Sequence, residues 1–198
     1  MKMHKSRSCT SATESEENGM RILLTVGHSK LKSGAITSAD GKKFGGGNEY
    51  TYCKSLAKYV KKYIEKNGHE VDLVVCPEGK FTKYTEEKTY KLAIEHATNY
   101  DLVMELHLNA AATSTAEGCE VLYKSSKGKK YADKIQKQLS TVFDNRGTAK
   151  RDNLYMLNQT KAPALILEPF FCTNPKEWKY AMEHKSKIAK LIAKGIEQ

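Results

Sequence analysis

Four polar residues occupy places in the sequence where their side chains could combine around a metal ion. His28 and His107 each come at the end of a short apolar run, Glu168 closes another, and Glu49 begins a helical pattern. Two imidazoles and one carboxylate form the ligand set of open catalytic zinc sites, in which a fourth position is left for water. We therefore predict that His28, Glu49 and His107 bind one zinc ion per chain, with Glu168 as general base and acid.

The residues that follow Glu49 predict that its side chain faces the core. Glu49, Cys53, Leu56, Val60 and Ile64 follow one another at steps of four, three, four and four residues. At helical periodicity these residues share one narrow stripe. A carboxylate buried among apolar side chains is costly unless a cation accompanies it, so Glu49 needs a cation partner.

Two further carboxylates have a predicted role beside the imidazoles. Glu168 ends an apolar strand immediately before Pro169, where burial should raise its pKa towards neutrality and suit it for proton transfer. Glu105 lies two residues before His107 and so faces the same side of a strand. It is a candidate partner that orients the His107 imidazole.

Each of these residues, taken alone, has a more common structural explanation. A histidine at a strand end is usually hydrogen-bonded within the protein, and a glutamate that opens a helix usually complements the helix dipole. Their joint placement is what favours a site, and that placement depends on the elements that carry them.

The elements that would position these residues alternate along the chain from Met20 onward, as in an α/β fold. We predict strands over residues 21–27, 69–76, 101–109, 117–123 (an edge strand) and 162–168. We predict helices over residues 49–67, 85–98, 129–143 and 175–196, the last burying Trp178, Met182, Ile188 and Ile192. The predicted fold is a single domain with a mostly parallel, twisted central sheet flanked by helices. In such a sheet the functional crevice lies beyond the carboxyl ends of the strands, where His28, His107 and Glu168 would meet.

The long loop over residues 29–48 is uncommon in a compact domain and is often functional when it occurs. It carries three consecutive glycines, Gly45 to Gly47. They lack the Lys-Ser/Thr of a phosphate-binding loop, so the sequence favours flexibility as their role.

Length and composition set the outer limits of the prediction. The 198 residues fit one domain over 21–198, preceded by an appended or disordered tail over 1–20. That tail lacks the apolar stretch of a signal peptide, and no segment is apolar enough to span a membrane, so we expect synthesis in the cytoplasm and no membrane insertion. The five cysteines are scattered and odd in number, which argues against a disulfide framework.

The net charge of +10 belongs to residues 21–198, because three basic and three acidic residues cancel in the tail. Such an excess favours polyanionic partners. Charge alone leaves nucleic acid, acidic lipid and anionic wall polymers open as partners.

The segments around the four residues resemble a known family. They are similar to the zinc-dependent N-acetylmuramoyl-L-alanine amidases of bacteriophage endolysins and bacterial autolysins, particularly clostridial phage endolysins. The segments that carry the resemblance are TVGHS at the first strand end, NEY at the helix start, ELHLNA, and PALILEPFFCTN. The resemblance covers residues 21 to about 197. It implies a zinc amidase or carboxypeptidase-like fold, with zinc bound by His28, Glu49 and His107 and with Glu168 catalytic.

The same resemblance implies a substrate and a place of action. The substrate would be bacterial peptidoglycan, cut between N-acetylmuramic acid and L-alanine, and Asn109 matches a position that lines the substrate cleft. Anionic wall polymers are then expected partners and nucleic acid is not. A phage-type enzyme without a signal peptide would reach the wall after disruption of the membrane. Residues 44–47 look like an extension relative to many family members.

Two alternatives remain at this stage. One is a zinc peptidase of similar architecture that cuts within the stem peptide. The other is a non-catalytic basic module that binds wall polymer or nucleic acid.

Overall fold

The computed structural model describes residues 19–197, which form a six-stranded sheet with helices on both faces. The strands are β1 Arg21–Val26, β2 Glu70–Val74, β3 Leu102–Leu106, β4 Cys119–Tyr123, β5 Asn145–Lys150 and β6 Ala164–Glu168. The helices are α1 Glu49–Lys66, α2 Thr85–Ala97, α3 Ser126–Leu139, α4 Tyr155–Asn158, α5 Pro175–Glu183 and α6 Lys185–Glu197, with a short 3₁₀ turn at Lys42–Phe44.

The strand order is β2-β1-β3-β6-β4-β5. Strands β2, β1, β3 and β6 run parallel, whereas β4 is antiparallel to β6 and parallel to β5. The predicted single-domain α/β fold with a mostly parallel sheet is therefore confirmed. The chain goes from β1 to β2 on one side and then to β3 on the other, so a crevice opens beyond the carboxyl ends of β1 and β3.

Successive residues of a strand point to opposite faces of the sheet, and apolar side chains are buried on both of these faces. Leu24 of β1 packs in the larger core with Leu56, Ile135 and Ile192 from α1, α3 and α6. Leu23 packs on the other face in a smaller core with residues of α4. Burial on both faces accounts for the continuous apolar runs by which the parallel strands were predicted.

Two predictions about the C-terminal half are wrong. Strand β4 is internal, because β5 pairs with its outer side, and the polar sequence of Asn145–Lys150 has none of the apolar alternation that marks a strand. The single predicted helix over 175–196 is two helices that separate at His184. Because α5 packs separately from α6, Met182 is 51% exposed and not buried as predicted.

Two of the three consecutive glycines, Gly46 and Gly47, serve close packing and not the flexibility that the sequence suggested, and Gly45 adopts a left-handed φ of 82°. A Cβ atom on Gly47 would lie 2.1 Å from the Trp178 ring, and one on Gly46 would lie 1.9 Å from the Cys172 carbonyl oxygen. The loop is also held by antiparallel bridges between Lys30 and Ile36 and between Asp40 and Asn48.

The predicted tail over 1–20 lies outside the described residues except for Gly19 and Met20, and its disorder stays a prediction. Met20 belongs to the folded part, since its main-chain N–H donates to His69 Nδ1 at 3.0 Å. Within residues 19–197, no helix combines the length and apolar character needed to cross a membrane. The cysteines of this part of the chain, Cys53, Cys76, Cys119 and Cys172, are buried free thiols.

Candidate metal centre and cavity

His28 directly follows β1 and adopts an unusual backbone conformation. Its φ angle is 69°, a left-handed value that is uncommon for residues other than glycine and that occurs disproportionately at functional sites. Gly27 before it provides room for a second imidazole, because a Cβ atom there would lie 2.2 Å from His107 Cε1. The end of β1 is thus shaped to bring the two rings together.

The structure brings together the three residues predicted to bind metal. Glu49 Oε1 lies 3.1 Å from His28 Nε2 and 2.9 Å from His107 Nδ1. The two imidazole rings meet edge to face with centroids 4.8 Å apart. One potential ligand atom from each residue lies within 4.8 Å of the others, the sole such group of three or more among residues 19–197.

Glu49 is buried at the first turn of α1 and is 3% exposed. Its Oε1 accepts a hydrogen bond from the Leu108 N–H at 3.0 Å, and its Oε2 accepts one from the Ala39 N–H at 3.1 Å. Burial by itself would raise the pKa of Glu49, but hydrogen bonds from His107 and His28 outweigh it and hold the pKa well below its usual range. An ionised carboxylate between two imidazoles fits a divalent cation.

Glu105 contacts the other nitrogen of the His107 ring, as its position in the sequence predicted. Its Oε1 lies 3.0 Å from His107 Nε2, and its Oε2 accepts hydrogen bonds from Lys91 Nζ at 2.7 Å and from Thr25 Oγ1 at 3.0 Å. Burial would raise the pKa of Glu105, but Lys91 and His107 lower it below the usual range. Because an ionised carboxylate only accepts hydrogen bonds, Glu105 favours a proton on Nε2, and Nδ1, on the side of Glu49, is the nitrogen that a metal could reach by displacing its proton.

The two carboxylates also determine the charge of His107. Burial lowers the pKa of His107, but hydrogen bonds to Glu105 and Glu49 more than compensate and raise it to about 10. In the protein without a bound cation, a proton on His107 therefore partly neutralises the two carboxylates. A metal ion that binds here would replace that proton.

Lys91 is a participant that the sequence did not reveal. It is 0% exposed on α2, where Glu87, Lys91 and Glu95 recur at steps of four residues. A stripe of three charged residues is typical of a solvated helix face, so the sequence pattern argued against burial. The signal that could have found Lys91 is the buried acidic residue at Glu105, which needs a cation.

A cavity of about 600 Å³ opens beside the cluster. Its polar end is lined by His28, Glu105, His107 and Glu168, and its apolar wall includes Leu31, Leu154, Tyr155, Met156 and Ile166. Burial raises the pKa of Glu168, and the neighbouring charges of Glu120 and Glu49 raise it further against the opposing effects of His107 and Arg151. The cavity thus pairs an apolar wall with a carboxylate that holds its proton more tightly than usual.

Asn109 is placed differently from the other predicted site residues. Its Oδ1 accepts a hydrogen bond from the Ala110 N–H at 2.9 Å, and its main chain forms a parallel bridge with Phe171. Among the described residues that line the cavity, Asn109 is absent. Its contact with substrate stays a prediction.

Solved structures and sequence relatives agree on the kind of protein that this chain resembles. The catalytic domain of the CD27L endolysin targeting Clostridia Difficile is 47% identical, with a TM-score of 0.86 over 90% of this chain and 97% of that domain. The CwlD amidase from Clostridioides difficile, solved in complex with the GerS lipoprotein, is 26% identical, with a TM-score of 0.77 over 90% of this chain and 97% of that chain.

Sequence relatives include the probable cell wall amidase LytH of Staphylococcus epidermidis, 26% identical over 91% of this chain. The chain spans 58% of the length of that relative. The sequence model of the N-acetylmuramoyl-L-alanine amidase family Amidase_3 matches residues 22–198, which is nearly the whole domain. The chain therefore belongs to the Amidase_3 family of N-acetylmuramoyl-L-alanine amidases.

Proposed function

We propose that this protein is a zinc-dependent N-acetylmuramoyl-L-alanine amidase that hydrolyses the amide bond between N-acetylmuramic acid and L-alanine in bacterial peptidoglycan. Family membership supports the reaction and the substrate. The observation that carries the proposal is that potential ligand atoms of His28, Glu49 and His107 lie within 4.8 Å of one another, beside a cavity that Glu168 lines.

In this proposal His28, Glu49 and His107 hold the metal, and Glu105 orients the His107 ring. The donor set supports zinc, since two imidazoles and a carboxylate are the ligands of open hydrolytic sites. When zinc is bound at such a site it polarises the scissile carbonyl and lowers the pKa of water to about 7. Each of the four residues is held by the contacts described above, so the site is preorganised.

Glu168 is the proposed proton carrier. It takes a proton from the attacking water and returns it to the amine of L-alanine as the amide bond breaks. A carboxylate of ordinary pKa would release its proton too readily to serve as the acid, so the raised pKa of Glu168 supports both halves of this role.

We further propose that the enzyme acts on the cell wall during lysis of a bacterial cell, after the membrane has been disrupted. The 47% identity to the catalytic domain of the CD27L endolysin supports this setting. The net charge of +10 would assist by attracting the protein to anionic wall polymers.

The new amino termini on digested peptidoglycan test the bond that is cut. We expect free L-alanine amino termini to appear with time. The rate of their appearance should equal the rate at which stem peptides are released from the glycan. Any other amino-terminal residue would instead support the rival peptidase that cuts within the stem peptide. No new terminus at all, with binding retained, would support the non-catalytic module.

Glu168→Gln tests the proton carrier with nearly unchanged side-chain volume. General acid-base catalysis contributes about 100 to 10,000-fold, so the rate should fall by about that factor. Zinc content should not change, because Glu168 is not a proposed ligand, whereas Glu49→Gln should lose zinc and activity together. Full activity of Glu168→Gln would remove Glu168 from the mechanism.

A further inference from the structure

Lys91 is a fully buried lysine directly behind the metal centre. Its side chain is 0% exposed, and its Nζ lies 2.7 Å from Glu105 Oε2. A buried ammonium group is costly unless it is paired and hydrogen-bonded, so a lysine in this place indicates a specific requirement for its charge.

The contacts of Lys91 continue to the imidazole of His107 through one carboxylate. Glu105 uses Oε2 for Lys91 and Thr25 and Oε1 for His107 Nε2, so each of its oxygens has a separate task. Thr25 and Glu105 are direct partners in the register of β1 and β3, which fixes the backbone of this arrangement. With Oε2 anchored from both sides, the carboxylate cannot rotate away from the ring.

We propose that Lys91 is a positioning residue of the metal centre, which acts through Glu105. It keeps Glu105 as an anchored carboxylate, Glu105 keeps the proton on His107 Nε2, and His107 Nδ1 is thereby directed towards His28 and Glu49. This inference rests on the proposed zinc site and adds a residue from α2 to it.

A second carboxylate offers a different account of Lys91. Glu87 lies one helical turn earlier on α2, is buried, and has an Oε2 atom without a hydrogen-bond partner among the described residues. If Lys91 only neutralised Glu87, its removal would affect folding and leave the metal site unchanged. The distance of 2.7 Å to Glu105 favours the metal site, and zinc affinity distinguishes the two accounts.

The experiment measures the zinc dissociation constant by competition with a chelator. Loss of a group that orients a metal ligand typically weakens metal binding by about 10 to 100-fold, and we expect Lys91→Met to do the same. Glu95→Gln is the matched control. Glu95 is an equally buried charge on α2, but it accepts hydrogen bonds from the Lys161 and Ala162 N–H groups, so its loss should not affect zinc affinity.

A comparison of Glu105→Gln with the double variant Glu105→Gln/Lys91→Met tests whether Lys91 acts through Glu105. We expect both variants to bind zinc with the same affinity, because Glu105→Gln already removes the carboxylate that connects Lys91 to His107. This comparison remains available if Lys91→Met alone does not fold, since the double variant removes both members of the Lys91–Glu105 ion pair. A further loss of affinity in the double variant would overturn the proposal.

The hydrogen bond between His107 Nε2–H and Glu105 is a readout that a merely structural role would not alter. In the zinc-bound protein, the ¹H and ¹⁵N chemical shifts of this N–H group should differ between the wild-type protein and Lys91→Met, because Glu105 is no longer anchored by Lys91. Unchanged zinc affinity together with unchanged Nε2–H chemical shifts in folded Lys91→Met would refute the role of Lys91. Failure of the wild-type protein to bind zinc would instead refute the proposed function itself.

Discussion

Neighbouring groups shift the pKa values of three nearby carboxylates in different directions. Glu49 and Glu105 are buried beside imidazoles and Lys91, which lower the pKa of each. Glu168 is half-buried and has no cationic hydrogen-bond donor among the described residues, and its partial burial raises its pKa. Side chains of the same type thereby divide into ionised groups that hold charge and one group suited to proton transfer.

The raised pKa of Glu168 makes a prediction about the pH profile. In the proposed mechanism Glu168 starts the reaction as a base, so kcat/KM should fall as the pH drops through its pKa, at a higher pH than about 4.3 for an ordinary glutamate. Glu120, which pairs with Glu168 across β4 and β6, raises that pKa, and Arg151 lowers it. Glu120→Gln should therefore move the acid limb to lower pH and Arg151→Gln to higher pH.

These two substitutions control for each other, because each removes one charge near the cavity and the expected shifts have opposite signs. The assignment of Glu168 as the base would be contradicted if the acid limb moved in the same direction in both variants. It would also be contradicted if the acid limb of the wild-type protein lay at the ordinary glutamate pKa.

At the level of elements, the site depends on how strands and helices end. Strands β1 and β3 end side by side, and α1 begins with Glu49 directly after the cap residue Asn48, whose side chain accepts a hydrogen bond from the Thr51 N–H. Gly27 lets the His107 ring lie against the end of β1. The metal centre is thus built where three elements meet and not within any one of them.

Gly27→Ala tests this close approach. The added methyl group would lie 2.2 Å from the His107 ring, so the ring must shift from its observed position beside Glu49. Overpacking of this kind costs about 1 to 3 kcal/mol, which corresponds to about a 5- to 150-fold loss of zinc affinity if the ring shift takes up the strain. Zinc binding and thermal unfolding, measured on the same preparation, would show whether the site or the fold is affected.

Gly128→Ala in α3 is the matched control for that substitution. A Cβ atom there would lie 3.2 Å from Ser125 Oγ, and alanine is the better helix former, so we expect zinc affinity to stay unchanged. Normal zinc binding by Gly27→Ala would show that His107 does not need its observed position.

At the level of the whole molecule, a bound cation would connect parts of the chain that are distant in sequence. His28, Glu49 and His107 lie at or directly beyond the ends of β1, α1 and β3, and only the tertiary fold places these ends together. Ligand binding to the folded state stabilises it, because the unfolded chain does not present the three donors at one point.

Zinc should therefore raise the free energy of unfolding. At a free zinc concentration 100 times the dissociation constant the gain is about 2.7 kcal/mol, and a chelator should reverse it. Glu49→Gln should show little of this gain, which separates binding at this site from binding elsewhere. Equal unfolding midpoints with zinc and with chelator, for the wild-type protein, would contradict a metal centre at these residues.

Local sequence patterns were enough to predict most of the strands and helices, the α/β class and the approach of His28, His107 and Glu168 at one edge of the sheet. These follow from local periodicity and from the rule that parallel strands share the direction of their carboxyl ends. The stripe from Glu49 to Ile64 was likewise predicted from spacing, and the structure buries it.

Features that depend on contacts between distant segments of the chain could be seen only in the tertiary structure. The polar strand β5 is held by hydrogen bonds to β4, so its own sequence gives no pattern that predicts a strand. The break at His184 separates two helices that pack differently, and the sequence around it gives no pattern that predicts a helix end. Lys91 is the clearest case, because a lysine on a charged helix stripe is buried only when a carboxylate from another element, here Glu105, offsets the cost of removing it from water.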